Sequence, residues 1–176
     1  LRRSTGSADA TLVINDSIIR TNTSTADGSL AGAICVFGTL TINDSLLEQN
    51  INTTGGSGSV VFAQNKSVTI NNSTIRNNRN VSGIGGAVAT NGAAINVFNS
   101  TLLDNYGGAI AYANGTTNIV VVNSTITGNT VADTVNNGGA IGYSGQASVS
   151  SSGQKITVLN SILTGNGTND IAVKYN

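Results

Sequence analysis

The side chains that could do acid–base or metal chemistry are few and scattered along this chain. Its 176 residues include eight Asp and Glu, a single cysteine at Cys35 and no histidine, and no two acidic residues are adjacent. Polysaccharide-degrading enzymes and calcium sites need several carboxylates, or a positioned base, that converge on one point. We therefore predict that the chain is not an enzyme and requires no cofactor.

Asp16 and Asp44 are the best candidates for a metal site. They hold equivalent positions in two copies of a repeat, 28 residues apart, so their carboxylates should lie one strand spacing from each other. Two carboxylates at such a short distance either share a cation or raise one another's pKa. The same position is Asn72 in the next copy and asparagine in all later ones. The pattern favours residues that support a bend over a metal site.

These positions are set by a repeat of six copies. Each copy is anchored on a serine, and the six anchors are Ser17, Ser45, Ser73, Ser100, Ser124 and Ser161. Five residues after every anchor comes an asparagine: Asn22, Asn50, Asn78, Asn105, Asn129 and Asn166. Ile, Leu or Val stands two residues after each anchor and three and five before it. Alternating apolar residues of this kind are typical of short strands with one buried face.

A second motif, with the pattern Gly-Gly-Ala-Ile, lies between the copies and predicts a third strand. It occurs at Ala31–Ile34, Gly85–Val88, Gly107–Ile110 and Gly138–Ile141, and more weakly at Gly58-Ser59-Val60. Three strands per repeat predict an all-β fold: a right-handed parallel β-helix (β-solenoid) of about six coils, with residues 1–176 in one domain. The six asparagines should stack at a buried bend and hydrogen-bond to the backbone and to each other.

Several other columns of equivalent residues should face outward. Arg20, Glu48 and Arg76 predict a ladder of alternating charge. Two residues before the anchor, the column changes from asparagine to Phe98, Val122 and Leu159, which predicts a contact with another chain or module.

The aromatic residues Phe62, Tyr112 and Tyr143 share a third column. Tyr112 and Tyr143 would stack sugar rings if this column faced solvent. Strand parity with Ile110 and Ile141 favours a place in the core instead.

Asn-X-Ser/Thr sequons occur throughout the chain. Those predicted to lie in loops or bends, and therefore open to glycosylation, include Asn52, Asn65, Asn80 and Asn114. Sequons also occur within the repeat, at Asn72, Asn99 and Asn123. There we expect the amide to be needed for internal hydrogen bonds.

The charge and the hydropathy of the chain indicate which partners are not expected. The formal charge is zero and the Lys and Arg residues form no basic stripe, so nucleic acid is not an expected partner. No apolar run approaches the length of a bilayer span, so this segment should not insert into a membrane.

The alternation of the Gly-Gly-Ala-Ile motif with an apolar-X-X-Asn motif resembles the repeats of chlamydial polymorphic outer membrane proteins and related β-helix surface proteins. The second motif here reads, for example, Leu47-Glu48-Gln49-Asn50 and Leu102-Leu103-Asp104-Asn105. The resemblance implies an extracellular or cell-surface location. It also implies that the chain is a fragment or subunit of a larger assembly.

The leading hypothesis is a structural or adhesive surface protein, or a filament-forming one. Its partners would be other protein chains, copies of itself joined end to end, or surface glycans. The alternative is a polysaccharide-binding or polysaccharide-degrading module, similar to β-helical lyases and epimerases. Ice binding by Thr74, Thr101 and Thr125 is a weaker alternative, because Ile18, Leu46 and Ile162 interrupt their column.

Overall fold

The computed structural model describes residues 10–25, 31–53, 59–64, 66–81, 85–91, 94–112, 117–131, 138–143, 155–167 and 169–172. These residues form twenty short strands. None of them lies in a helix long and apolar enough to cross a bilayer.

The strands are two to six residues long. The first ten are β1 (Ala10–Asn15), β2 (Ile18–Arg20), β3 (Thr23–Ser24), β4 (Ala31–Val36), β5 (Gly38–Asn43), β6 (Leu46–Glu48), β7 (Ile51–Asn52), β8 (Ser59–Gln64), β9 (Val68–Asn71) and β10 (Thr74–Arg76). The remaining ten are β11 (Arg79–Asn80), β12 (Val88–Asn91), β13 (Ile95–Phe98), β14 (Thr101–Leu103), β15 (Ile110–Tyr112), β16 (Asn118–Val122), β17 (Thr125–Thr127), β18 (Ile141–Tyr143), β19 (Lys155–Leu159) and β20 (Ile162–Thr164).

Consecutive strands lie in different sheets, and each strand pairs in parallel with its counterpart in the next repeat. Sheet 1 has the order β1-β5-β9-β13-β16-β19, and sheet 2 has the order β2-β6-β10-β14-β17-β20. Sheet 3 contains β3, β7 and β11, and sheet 4 has the order β4-β8-β12-β15-β18. A chain wound in this way is a parallel β-solenoid, which confirms the predicted fold class.

The number of strands per coil and the number of coils both differ from the prediction. The first three coils have four strands each instead of three, because the two-residue strands of sheet 3 follow the repeat asparagine. Within the described residues, sheets 1 and 2 contain six strands each but sheets 3 and 4 contain three and five, so the coil number differs slightly from the predicted six.

The core is a stack of aliphatic columns. In sheet 1 the register places Leu12, Leu40, Val68, Ile95, Ile119 and Ile156 one above another. The central members of this column are fully buried, whereas Leu12 and Ile156 at the two ends are only partly buried. β-Branched and leucine side chains suit such columns because they pack well on a pleated, half-buried surface.

The chain bends twice in each repeat through a residue in the left-handed conformation. The residue before each anchor serine has a positive φ of 47° to 50° in Asp16, Asp44 and Asn72, and the later copies are similar. A second bend precedes each repeat asparagine, with positive φ at Thr21, Gln49, Asn77, Asp104, Gly128 and Gly165. Asn, Asp and Gly adopt this conformation at the least cost, which explains their frequency at these positions.

Candidate functional site

The repeat asparagines form the predicted ladder inside the solenoid. Asn78 donates through Nδ2 to the Leu47 carbonyl and to Asn105 Oδ1, both at 3.0 Å. Its own Oδ1 accepts from the backbone N–H and from Nδ2 of Asn50, at 2.9 and 3.0 Å. The side chain of Asn78 thus uses both donors and both acceptor sites while only 1% exposed. Equivalent amide-to-amide bonds join the six members, Asn22, Asn50, Asn78, Asn105, Asn129 and Asn166.

The ladder ends at a carboxylate. Asn166 donates its backbone N–H and its Nδ2 hydrogen to Asp170 Oδ1, at 3.2 and 2.9 Å. Asp170 therefore takes the place that the next asparagine Oδ1 would occupy. Asp170 Oδ1 only accepts here, so the relay of donated hydrogens stops at this residue.

The anchor serines form a second ladder that the sequence analysis did not predict. The backbone N–H of Ser45 donates to Oγ of Ser73 at 3.1 Å, and Oγ of Ser73 donates to the Asn71 carbonyl at 2.7 Å. The same pair of bonds recurs along the stack. The anchor position is serine in all six copies, and this invariance was the signal that could have revealed the ladder. Only a small hydroxyl can both accept and donate a hydrogen bond at this bend.

The outward column two residues before the anchor is divided into a polar and an apolar half. Asn43 Nδ2 donates to Asn15 Oδ1, and Asn71 Nδ2 donates to Asn43 Oδ1, both at 2.7 Å. In the next three coils the register continues this column with Phe98, Val122 and Leu159. Leu159 is 56% exposed, while Phe98 and Val122 are half-buried. The partner contact predicted at these three residues stays a prediction.

The predicted charge ladder is reduced to one ion pair. Arg76 donates from Nη2 and Nε to Glu48 Oε2, at 2.9 and 3.0 Å. Arg20 is in register with Glu48 but takes no part in this pair. Because the pair lies on the surface, its contribution to stability is small.

The aromatic column differs from the predicted one. Phe62 pairs in register with Cys35 and Ala89, whereas the residue aligned with Thr90 and Tyr112 is Ala63. The prediction placed Phe62 one position away because the glycine motif is degenerate in that coil.

Tyr112 is a core residue, only 1% exposed, and so presents no ring face to a sugar. Its register partner is Tyr143, whose side chain lies outside the described residues. Of the two tyrosines predicted to stack on sugars, Tyr112 is therefore excluded.

A surface groove of about 630 Å³ runs along the corner between sheets 1 and 2. It is lined by Asp16, Ser17, Ile18, Asp44, Ser45, Leu46, Asn72, Thr74 and Arg76. Asp16 and Asp44 lie at the left-handed bends on its edge, and both are exposed. No group of three or more His, Cys, Asp or Glu residues in the described parts of the chain could hold a metal ion.

The sequon asparagines are placed differently from the prediction. Asn52 and Asn80, expected in open bends, are buried at 0% and 1% exposure in sheet 3. Asn72, Asn99 and Asn123, whose amides were expected to be needed internally, are exposed, although those of Asn99 and Asn123 hydrogen-bond to each other. Two-residue strands such as β7 and β11 are too short to be recognised from periodicity. Asn65 and Asn114 lie outside the described residues.

No protein-family model matches the chain, and comparisons with curated proteins and with solved structures give no match.

Proposed function

We propose that this chain is a non-enzymatic β-solenoid with a structural or adhesive role outside the cell or at its surface, and that its copies join end to end. The observation that supports the proposal is that, among the described residues, the same aliphatic columns are only partly buried in the first and the last coil. An open edge of parallel strands also offers unpaired backbone groups to another chain.

At the N-terminal end, the first coil opens onto an apolar cavity. Its lining includes Leu12, Ile14, Ile19 and Ile34, and its volume is about 420 Å³. Ile18, at the rim, is 66% exposed. Apolar area of this kind on a described end is more typical of an interface than of a solvated surface.

At the opposite end, the same columns finish with Ile156, Val158 and Leu163, which are partly buried. Ile162 is 59% exposed and belongs to the same outward column as Ile18. A second copy stacked against sheets 1 and 2 would set Ile18 beyond Ile162 and Ile14 beyond Val158, with Asp170 remaining the last acceptor of the ladder. Contacts of this head-to-tail type extend into filaments when the rotation between copies does not close a ring.

Analytical ultracentrifugation and negative-stain electron microscopy at rising protein concentration test the assembly. We expect rods whose length grows with concentration while their width stays that of one solenoid. Short rods of a single length over the whole range would contradict end-to-end joining.

Location is tested separately by labelling intact cells of the source with an antibody against the purified chain. We expect surface labelling without permeabilisation. Labelling that appears only after permeabilisation would contradict an extracellular role, and it would leave the assembly result unaffected.

A further inference from the structure

We propose that Asn72 is an acceptor site for an N-linked glycan. The proposal rests on the proposed function, because only a chain that enters a secretory pathway meets the oligosaccharide donor. In the reaction, Asn72 Nδ2 forms a bond to C1 of the first sugar of a lipid-pyrophosphate-linked oligosaccharide. One amide hydrogen leaves as a proton, and the lipid pyrophosphate is the leaving group.

Asn72 combines a sequon with an unengaged amide. It begins the sequence Asn72-Ser73-Thr74, lies at a left-handed bend with φ of 48° and is exposed. Its backbone N–H donates to the Phe98 carbonyl at 3.0 Å, which fixes the bend. Its side-chain amide makes no hydrogen bond with another described residue. A glycan on Nδ2 therefore displaces no internal contact.

The other sequons of the repeat lack this combination: the amides of Asn15 and Asn43 hydrogen-bond to each other, and Asn22 Nδ2 donates to Asn50 Oδ1. Asn71, which overlaps the same site, donates Nδ2 to Asn43 Oδ1. Asn123 donates Nδ2 to Asn99 Oδ1 at 3.3 Å and accepts from Asn160 Nδ2 at 2.8 Å. Asn52, Asn80 and Asn166 are buried, and Nδ2 of Asn166 is engaged in the ladder.

The room available for a glycan also distinguishes Asn72 from Asn99, which begins an exposed sequon one coil further on. Asn72 borders the corner groove, where Leu46 and Ile18 form an apolar strip beside Asp44 and Thr74. A sugar has apolar C–H faces and polar hydroxyls, so such a surface can accommodate the first residues of a glycan. Asn99 does not line the groove. Because neighbouring strands are only about 4.8 Å apart, glycans on both residues would compete for the same room.

The test is secretion of the full chain, with an added signal peptide, from insect or mammalian cells. Peptide-N-glycosidase digestion in ¹⁸O-labelled water, followed by peptide mass spectrometry, marks each glycosylated asparagine as labelled aspartate. We expect the label at position 72.

Two matched variants at the third sequon position separate Asn72 from its neighbour. T74A removes the Asn72 sequon but leaves that of Asn71, whose third residue is Ser73. T74S keeps both. We expect T74A to lose the label and T74S and N99Q to retain it, with unchanged β-sheet circular dichroism in all three.

An unmodified Asn72 in secreted, folded protein overturns the proposal, as does a label that persists in T74A. Because the added signal peptide forces entry into the secretory pathway, this result is independent of where the native protein resides. A failure here with surface labelling of intact source cells would leave the proposed function standing.

Discussion

Asn50 donates two hydrogens, from its backbone N–H and from Nδ2, to the single atom Oδ1 of Asn78, at 2.9 and 3.0 Å. The two residues are 28 positions apart in the chain. One acceptor thus fixes both the main chain and the side chain of the preceding coil.

Replacing Asn78 with alanine should be severely destabilising. The N78A variant leaves two donors of Asn50 and the Leu47 carbonyl without their partner in a site that water does not reach. Each unsatisfied buried group costs about 1–3 kcal/mol, so the loss in unfolding free energy should be roughly 3 kcal/mol or more. Urea unfolding followed by circular dichroism measures it. N71A, which removes an outer amide contact, is the control and should cost less than about 1 kcal/mol. Equal losses in the two variants would contradict a special role for the buried ladder.

The serine ladder predicts a smaller but distinct effect. S73A removes the acceptor of the buried Ser45 N–H and the donor to the Asn71 carbonyl, and should lower the unfolding free energy by about 1–3 kcal/mol. S17A is the matched control at the half-buried first coil, where Oγ donates to the Asn15 carbonyl. We expect S17A to cost less than S73A in the same denaturation experiment. The reverse order would show that the hydroxyl is not needed as an acceptor.

Thr21 should be a site where stability can be gained. It is β-branched and has φ of 57°, at the bend where two later repeats have Gly128 and Gly165. Left-handed backbone is unfavourable for such a residue by about 1–2 kcal/mol, and asparagine tolerates it better. T21N should therefore raise the melting temperature by about 2–4 °C, measured by scanning calorimetry. G128T is the reciprocal variant and should lower it. A decrease in T21N would contradict the argument from backbone strain.

Charges at the two ends should control assembly. In a head-to-tail pair, position 162 of one copy adjoins position 18 of the next, so I18K/I162K should block growth and I18K/I162E should restore it in part. Sedimentation velocity at one protein concentration compares the variants. V81K is the control, since Val81 is 42% exposed but directly follows β11 in the third coil. Unchanged assembly in I18K/I162K would rule out this junction.

Much of the fold was predictable because the repeat carries its own register. The asparagine five residues after each serine and the alternating Ile, Leu and Val identified the buried columns of sheets 1 and 2, and the pairing Leu12–Leu40–Val68 agrees with them. Sheet 4 was predicted less well. In β8 the glycine motif is degenerate, and the real alignment of Ile34 with Val61 differs by one residue from the predicted one.

The surface could not be predicted to the same depth. Burial of Asn52 and Asn80 depends on pairing between β7 and β11, two strands of two residues each, which have too few positions to show alternation. Exposure of Asn72 depends on the left-handed backbone, which turns the side chain away from the core although its neighbours Asn71 and Ser73 are hydrogen-bonded in ladders. Residue type alone does not distinguish these environments.

The ladder bonds join residues as few as 24 and as many as 37 positions apart, while the geometry between the amides is the same. The length of each circuit is thus independent of the pattern that holds the stack together. The amide ladder therefore joins repeats of different length in the same way. Repeats that differ in length can therefore present different surfaces while the hydrogen-bonded ladder stays the same.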